Sequence, residues 1–148
     1  MSDRTGGDTG SNDGGRAITL RIPAKPEYIT LCRLALTGLA QLREIDDDAM
    51  ADVKLALTEA VSNSVRHAYG PDGGGHVEVV YELHPDRLGI TVVDDGEGFD
   101  PDEAPSFDGD ELSEGGLGIA IIRTIADEFE IRSQPGERGS RLTFVKKI

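Results

Sequence analysis

A carboxylate and an amide lie one helical turn apart in the stretch LTEAVSNSVRHAYG, which spans residues 57–70. Positions i and i+4 share one face of a helix, so the side chains of Glu59 and Asn63 should point in the same direction. Such a pair is compatible with ordinary polarity of a helix surface. It is also compatible with a general base beside a metal ligand, and the pair alone does not distinguish the two.

A second segment contains residues that suit the base of a nucleotide. In VVDDGEGFDP, Asp94 follows an apolar strand and is followed by Gly96 and Gly98. A carboxylate at this place could accept a hydrogen bond from an exocyclic amine such as that of adenine, and the glycines would let a ring approach the backbone. The alternative is a simple turn after a strand, because Asp-Gly pairs are common turn formers.

A third segment, SEGGLGIAII, places glycines directly before an apolar helix. The N-terminus of a helix presents unpaired N–H groups and the positive end of the helix dipole, which suits a phosphate chain. The same glycines could form only a flexible hinge. The pattern GxxxxGK[ST] is absent, as is GxGxxG directly after a strand, which excludes a P-loop and a dinucleotide-binding fold.

The spacing of apolar residues predicts the elements that carry these segments. AITLRIPA predicts a first strand, a helical period runs from Glu27 to Arg43, and a second helix begins at an N-cap, Asp46 or Asp47, and ends near Tyr69. HVEVVYEL and RLGITVVD predict an antiparallel hairpin, GIAIIRTIADEF a third helix, and FEIRS and SRLTFVKKI two closing strands. Antiparallel strand pairs with helices on one face predict an α+β two-layer sandwich.

The chain is predicted to form one domain over residues 16–148 after a disordered tail, residues 1–15. Met1 is the only aliphatic residue of this tail, so burial cannot offset its ordering entropy. The stretch from Asp95 to Gly118 is rich in glycine and acidic residues, and a connection of this length favours a lid or binding loop. The single cysteine, Cys32, excludes an internal disulfide framework and a cysteine-based zinc site, and its apolar surroundings predict burial.

Charge and hydropathy limit the function classes. The net charge is −13, from 28 acidic and 15 basic residues, which argues against direct binding of nucleic acid. A nucleotide remains compatible if Mg²⁺ and backbone N–H groups supply the positive charge. We expect a cytoplasmic protein with no membrane contact, because the first residues lack a signal-peptide core and no apolar run reaches about 18 residues.

The order of the three motifs resembles that of the GHKL ATPases, whose nucleotide pocket is the Bergerat fold. The motifs are E-x-x-x-N on a helix, D-x-G-x-G after a strand and G-G-x-G at the start of a helix. The resemblance runs from about Ala17 to Ile148. Within that superfamily the chain resembles the anti-sigma factor serine/threonine kinases, on the stretches LTEAVSNSVRHAYG, LSEGGLGIAIIR and GSRLTFVKK.

The resemblance implies ATP and Mg²⁺ as cofactors and a role for each member of the helical pair. Glu59 would be the general base that activates a hydroxyl or water, and Asn63 would coordinate the Mg²⁺ bound to the phosphates. Phosphoryl transfer needs an oriented nucleophile and a cation that neutralises charge on the phosphate oxygens. Mg²⁺ keeps several waters, so one amide oxygen is a reasonable contribution from the protein.

The resemblance assigns the remaining motifs to the nucleotide. Asp94 would bind the adenine amino group, with Gly96 and Gly98 close to the ring. The family usually carries Gly-Thr at its last motif, where this chain has Gly139-Ser140. Because serine keeps the hydroxyl, adenine binding would be weakened rather than lost. Residues 99–114 would form the lid, whose acidic side chains are unfavourable near a triphosphate unless they face solvent. The phosphates would be wrapped by Gly115, Gly116, Leu117 and Gly118.

The resemblance also implies partners. The protein would bind a sigma factor, on the helix Glu27–Arg43 and its neighbours, and would phosphorylate an anti-anti-sigma protein of the STAS type; it also implies a homodimer. Two alternatives remain: a non-catalytic nucleotide-binding regulator that sequesters a partner protein, and the catalytic domain of a histidine kinase, which the missing phosphoacceptor helices disfavour. Arg66, His67 and Arg123 could each contact the pocket or only solvent.

Overall fold

The computed structural model describes residues 15–68, 74–97, 116–132 and 138–148. The strands are β1 (Arg16–Pro23), β2 (His76–Leu83), β3 (Arg87–Glu97), β4 (Glu128–Arg132) and β5 (Arg138–Lys147). The helices are a 3-10 turn (Pro26–Tyr28), α1 (Ile29–Ala40), α2 (Asp47–Ala68) and α3 (Gly116–Ile125). The predicted tail, the predicted lid and the turn after α2 lie outside the described residues, except at their ends.

The strands form one sheet in the order β1-β2-β3-β5-β4, and every neighbouring pair is antiparallel. Residues of β2 alternate between exposed and buried, because successive side chains of a strand point to opposite faces. The buried face carries Tyr81, which pairs with Ile90, which pairs in turn with Phe144. The helices pack on this face, which confirms the α+β two-layer sandwich.

The central helix α2 carries the buried stripe that joins the two layers. Val53, Leu57 and Val61 recur at helical spacing and are fully buried. Asp46 is the N-cap, as predicted, since its carboxylate accepts hydrogen bonds from the backbone N–H groups of Asp48 at 3.1 Å and Ala49 at 3.2 Å. The start of α2 is therefore fixed by the Asp46 side chain. The face that α2 turns toward the sheet is fixed by its buried apolar residues.

Helix α1 covers the side of the sheet that carries Tyr81. Cys32 is buried in its inner face, as predicted, and the Tyr81 hydroxyl donates to the Cys32 carbonyl at 2.8 Å. Burial raises the pKa of the Cys32 thiol, so this side chain acts as a small apolar group. The helix ends at Ala40 rather than at the predicted Arg43, because the chain turns there toward α2.

The predicted limits of the third helix were wrong at both ends. Helix α3 starts at Gly116, before the predicted Gly118, and ends at Ile125 rather than at Phe129. Phe129 belongs to β4, where it pairs with Phe144 of β5. The Lys146 ammonium donates to the Ile125 carbonyl at 3.3 Å and so caps the end of α3. No helix in the described residues is both long and apolar enough to pass through a membrane.

Candidate active site

The predicted pair lies on α2, one turn apart on the face that meets β3 and α3. Glu59 is half-buried, whereas Asn63 is only 2% exposed. The side-chain oxygen of Asn63 is buried and has no hydrogen-bond partner among the described residues. Leaving a buried acceptor unsatisfied costs about 1–3 kcal/mol. Such an oxygen therefore suits a ligand that the site would bind, such as a cation or a hydrogen-bond donor.

Asp94 lies at the end of β3 on the helix-facing side of the sheet and is 4% exposed. Its Oδ1 accepts from the N–H of Gly96 at 3.0 Å, and its Oδ2 accepts from the hydroxyl of Ser140 at 2.5 Å. Ser140 is the direct cross-strand partner of Asp94 on β5, so the sheet register brings the two together. Because a carboxylate has about four acceptor positions, Asp94 keeps capacity for a further donor such as an amine.

Glycines allow close backbone contacts around both residues. A Cβ added to Gly96 would lie 2.0 Å from the carbonyl oxygen of His67. The end of β3 can therefore pack against α2 only with glycine at this position. A Cβ added to Gly118 would lie 2.8 Å from Oε1 of Glu59. The first turn of α3 therefore rests against the Glu59 side chain, which joins the third motif to the first.

Gly139 has a conformational role that the sequence did not indicate, because the predicted contact with the nucleotide was assigned to its neighbour Ser140. Its φ is 90°, a left-handed backbone conformation that residues other than glycine rarely adopt. A Cβ there would also lie 3.2 Å from the carbonyl oxygen of Asp94. The glycine of the Gly139-Ser140 motif thus has a conformational role, and it lets β5 present the Ser140 hydroxyl to Asp94.

His67 lies one turn beyond Asn63 and is half-buried. Burial lowers its pKa below 6.5; the Asp94 carboxylate opposes this shift, and the Arg66 guanidinium adds to it. His67 is therefore an uncharged neighbour of Asp94 at neutral pH. Arg66 is exposed on α2, whereas the Arg123 guanidinium lies 5.0 Å from the centre of the Phe129 ring, which gives it an internal partner.

Of the other predicted site residues, some lie within the described part of the chain and some do not. Gly116 is the first residue of α3, and Leu117 is 47% exposed next to Gly118. Gly98 and Gly115 lie outside the described residues. Within the described ranges, no group of three or more His, Cys, Asp or Glu side chains could hold a metal ion. The described site thus consists of one face of α2, the end of β3, the start of α3 and the first residues of β5.

The comparisons with known proteins agree with this arrangement. The sequence matches the histidine kinase-like ATPase domain over residues 22–146. The chain therefore belongs to the histidine kinase-like ATPase family, which the order of the motifs predicted, and binding of ATP follows from that membership.

Within this family the chain is similar to proteins that are named serine-protein kinases. It is 39% identical over 127 residues to the serine-protein kinase RsbW of Bacillus velezensis, across 80% of this chain and 79% of that protein. It is 38% identical over 127 residues to the RsbW of Listeria monocytogenes, across 80% of this chain and 81% of that protein. The expected resemblance to the anti-sigma factor serine kinases is confirmed.

Solved structures support the same fold. The RsbU and RsbW domains of Rv1364c from Mycobacterium tuberculosis align with a TM-score of 0.61 and 22% identity, over 87% of this chain and 32% of that one. This chain thus spans about a third of that protein. The SiaB–SiaC complex of Pseudomonas aeruginosa aligns with a TM-score of 0.62 and 17% identity, over 86% of this chain and 89% of that one.

Proposed function

We propose that this protein is a Mg²⁺-dependent serine/threonine kinase and an anti-sigma factor, in which Glu59 and Asn63 form the catalytic end of the site. In this proposal it binds a sigma factor and transfers the γ-phosphoryl group of ATP to an anti-anti-sigma protein of the STAS type. The observation that carries the proposal is the buried Asn63 oxygen, which has no hydrogen-bond partner among the described residues and lies one helical turn from the Glu59 carboxylate.

Glu59 acts as the general base in this proposal. Its carboxylate accepts the proton of the attacking serine or threonine hydroxyl, whose oxygen forms the new bond to the γ-phosphorus as the bond to the β-phosphate oxygen breaks. The products are the phosphorylated protein and ADP. The first turn of α3 at Gly118 contacts the carboxylate and so holds it in place.

Asn63 holds the cation in this proposal. Its amide oxygen fits Mg²⁺, which prefers oxygen ligands and takes few of them from the protein. Bound there, Mg²⁺ would neutralise charge on the phosphate oxygens. Residues 115–118 would supply backbone N–H groups to the same phosphates, at the positive end of α3.

Asp94 recognises adenine in this proposal. Its carboxylate is oriented by the Gly96 N–H and the Ser140 hydroxyl, and it accepts from the adenine amino group. Gly96 and Gly98 leave room for the ring beside the backbone. A purine that carries an oxygen in place of that amine would offer an acceptor to a carboxylate, which is unfavourable.

The sigma factor is proposed to bind α1 and its neighbours. Leu31 and Leu34 lie one turn apart on the outer side of α1 and are 46% and 60% exposed. Exposed apolar side chains at helical spacing suit a partner protein. A homodimer and a cytoplasmic location, where sigma factors act, complete the proposal.

The test is transfer of label from γ-labelled ATP and Mg²⁺ in an extract of the source organism that lacks this gene. The purified protein should label one small band that survives acid, and Glu59→Ala should lower the rate by about 100- to 10,000-fold. Glu82→Gln, on the exposed face of β2, is the matched control and should label normally.

Two results would contradict the proposal. An acid-labile product would indicate a phosphohistidine and a histidine kinase. Nucleotide binding without any label transfer would instead support the non-catalytic regulator.

A further inference from the structure

The last turn of α2 rests on two glycines, one directly before β2 and one near the end of β3. A Cβ added to Gly75 would lie 2.1 Å from the carbonyl oxygen of Ala68, and one added to Gly96 would lie 2.0 Å from that of His67. Real Cβ atoms do not approach backbone this closely. The last turn of α2 is therefore closer to the sheet than any residue other than glycine at positions 75 and 96 would permit. We call Gly75 and Gly96 the glycine seat.

The sheet register explains why the two glycines act together. Val77 pairs with Asp94, Gly75 lies two residues before the first, and Gly96 lies two residues after the second. A Cβ added to either glycine would meet the end of α2, so both glycines lie on the helix-facing side of the sheet, near Asp94. The His76 N–H donates to the Asp95 carboxylate at 3.5 Å, which holds the two strands together at this point.

The seat is also fixed from the side of β1. The N–H of Ala24, which is buried directly after β1, donates to the carbonyl of Gly75 at 2.9 Å. Gly75 therefore contacts the ends of β1 and α2 and precedes β2, and it cannot move away from the helix without breaking this bond. The carbonyls of His67 and Ala68, the last two described residues of α2, lie against the backbone of these two glycines.

The distance between the last turn of α2 and β3 determines the width of the site near Asp94, which we call the adenine end. Asp94 is on the sheet, whereas Asn63 and His67 are on the helix, so the distance between them depends on how closely α2 approaches β3. A side chain in the seat would lift the last turn. The displacement would be largest at His67 and smaller at Glu59, two turns earlier on α2.

We infer that Gly75, which lies outside all three nucleotide motifs, is a positioning residue for nucleotide binding, because it seats the last turn of α2 beside Asp94. This inference rests on the proposed function, in which Asp94 recognises adenine. It separates two kinds of glycine in the site: the glycine seat controls the adenine end, whereas Gly118 contacts the catalytic carboxylate.

The test is Gly75→Ala, with calorimetric affinity for Mg·ATP and the KM and kcat of phosphate transfer as measurements. We expect the dissociation constant and KM for ATP to rise by about tenfold or more, a loss of about 1.4 kcal/mol in binding, with kcat changed less than about twofold. Gly38→Ala is the matched control, since a Cβ there meets nothing within 4 Å, and it should leave both constants unchanged.

Further variants separate positioning from general destabilisation. Leu39→Ala removes a buried side chain from α1 and should lower the melting temperature without raising KM, when assayed where every variant is folded. Ala68→Ser enlarges the helix side of the same contact more gently and should weaken ATP binding by about two- to fivefold. This second variant decides the question if Gly75→Ala does not fold.

Unchanged ATP affinity in a folded Gly75→Ala, or in Ala68→Ser when the first is unfolded, would overturn the inference. A wild-type protein that binds Mg·ATP but transfers no phosphate would contradict only the proposed kinase chemistry, and the affinities would still decide the role of Gly75. A wild-type protein that binds no nucleotide would overturn both.

Discussion

The two ends of the proposed site, the adenine end at Asp94 and the catalytic end at Glu59 and Asn63, differ in how their polar atoms are satisfied. At the adenine end, both oxygens of Asp94 accept hydrogen bonds from within the protein, at 3.0 and 2.5 Å. At the catalytic end, the buried oxygen of Asn63 has no partner in the described chain. A group that recognises an invariant base gains from being fixed in advance, whereas a group that binds a cation must keep a vacant acceptor.

This difference should also appear in stability. The partners of Asp94 make its burial favourable to the fold, because charge-assisted hydrogen bonds offset its desolvation. The buried oxygen of Asn63 is unfavourable to the fold until something binds it. Substitutions at the two residues should therefore act in the same direction on activity and in opposite directions on the stability of the nucleotide-free protein.

The largest effect is expected for Asn63→Leu, a change of similar size that removes the vacant acceptor. Phosphate transfer should fall by at least about 100-fold, because the cation would lose its protein ligand. The nucleotide-free protein should become more stable by about 1 kcal/mol, since an unsatisfied buried oxygen is removed. Transfer assays and urea unfolding measure the two effects. A destabilised variant would show that the protein itself satisfies Asn63.

Asp94→Asn should give the next largest effect, with the opposite sign for stability. The amide keeps one oxygen but loses the charge, so affinity for Mg·ATP should fall by about 10- to 100-fold and unfolding free energy by about 1–3 kcal/mol. Calorimetry and urea unfolding again measure both. Equal stability of the variant and the wild type would remove the contrast between the two ends.

The hydroxyl that holds Asp94 should contribute a smaller amount. Ser140→Ala leaves Oδ2 without its donor, and we expect ATP affinity to fall by about five- to tenfold, the value of one hydrogen bond. Ser140→Thr keeps the hydroxyl and suits a strand, so it should bind ATP at least as well as the wild type. If the threonine variant bound as weakly as the alanine variant, geometry rather than the hydroxyl would govern this contact.

Local spacing in the sequence predicted the proximity of Glu59 and Asn63, but not that of Asp94 and Ser140. Glu59 and Asn63 are four residues apart, so helical geometry alone places them on one face. Asp94 and Ser140 are 46 residues apart, and only the register of β3 with β5 brings them together. Sequence patterns contain little information about such a register, because many alignments of two apolar strands bury the same face.

The same limit explains why the predicted end of α3 was wrong and why the contact of Gly75 with α2 was not predicted. The apolar spacing of α3 continues into β4, so periodicity could not show that Phe129 leaves the helix to pair with Phe144. Gly75 lies outside the three sequence motifs, because its contact with the Ala68 carbonyl depends on where α2 ends above the sheet. A glycine beside a predicted strand start is the only local signal, and turns produce it as often.

The smallest effect is expected for His67, which lies near Asp94 on the last turn of α2 and whose pKa is lowered below 6.5 by burial. As pH falls below 6.5, the unfolded state gains a proton that the folded state resists, so stability should decline until the lower folded pKa is passed. His67→Asn should flatten this part of the stability curve, measured by urea unfolding between about pH 7 and pH 5. His76→Asn, on the exposed start of β2, is the control. If both curves kept the same slope as the wild type, the neutral imidazole of His67 would not contribute to the pH dependence of stability.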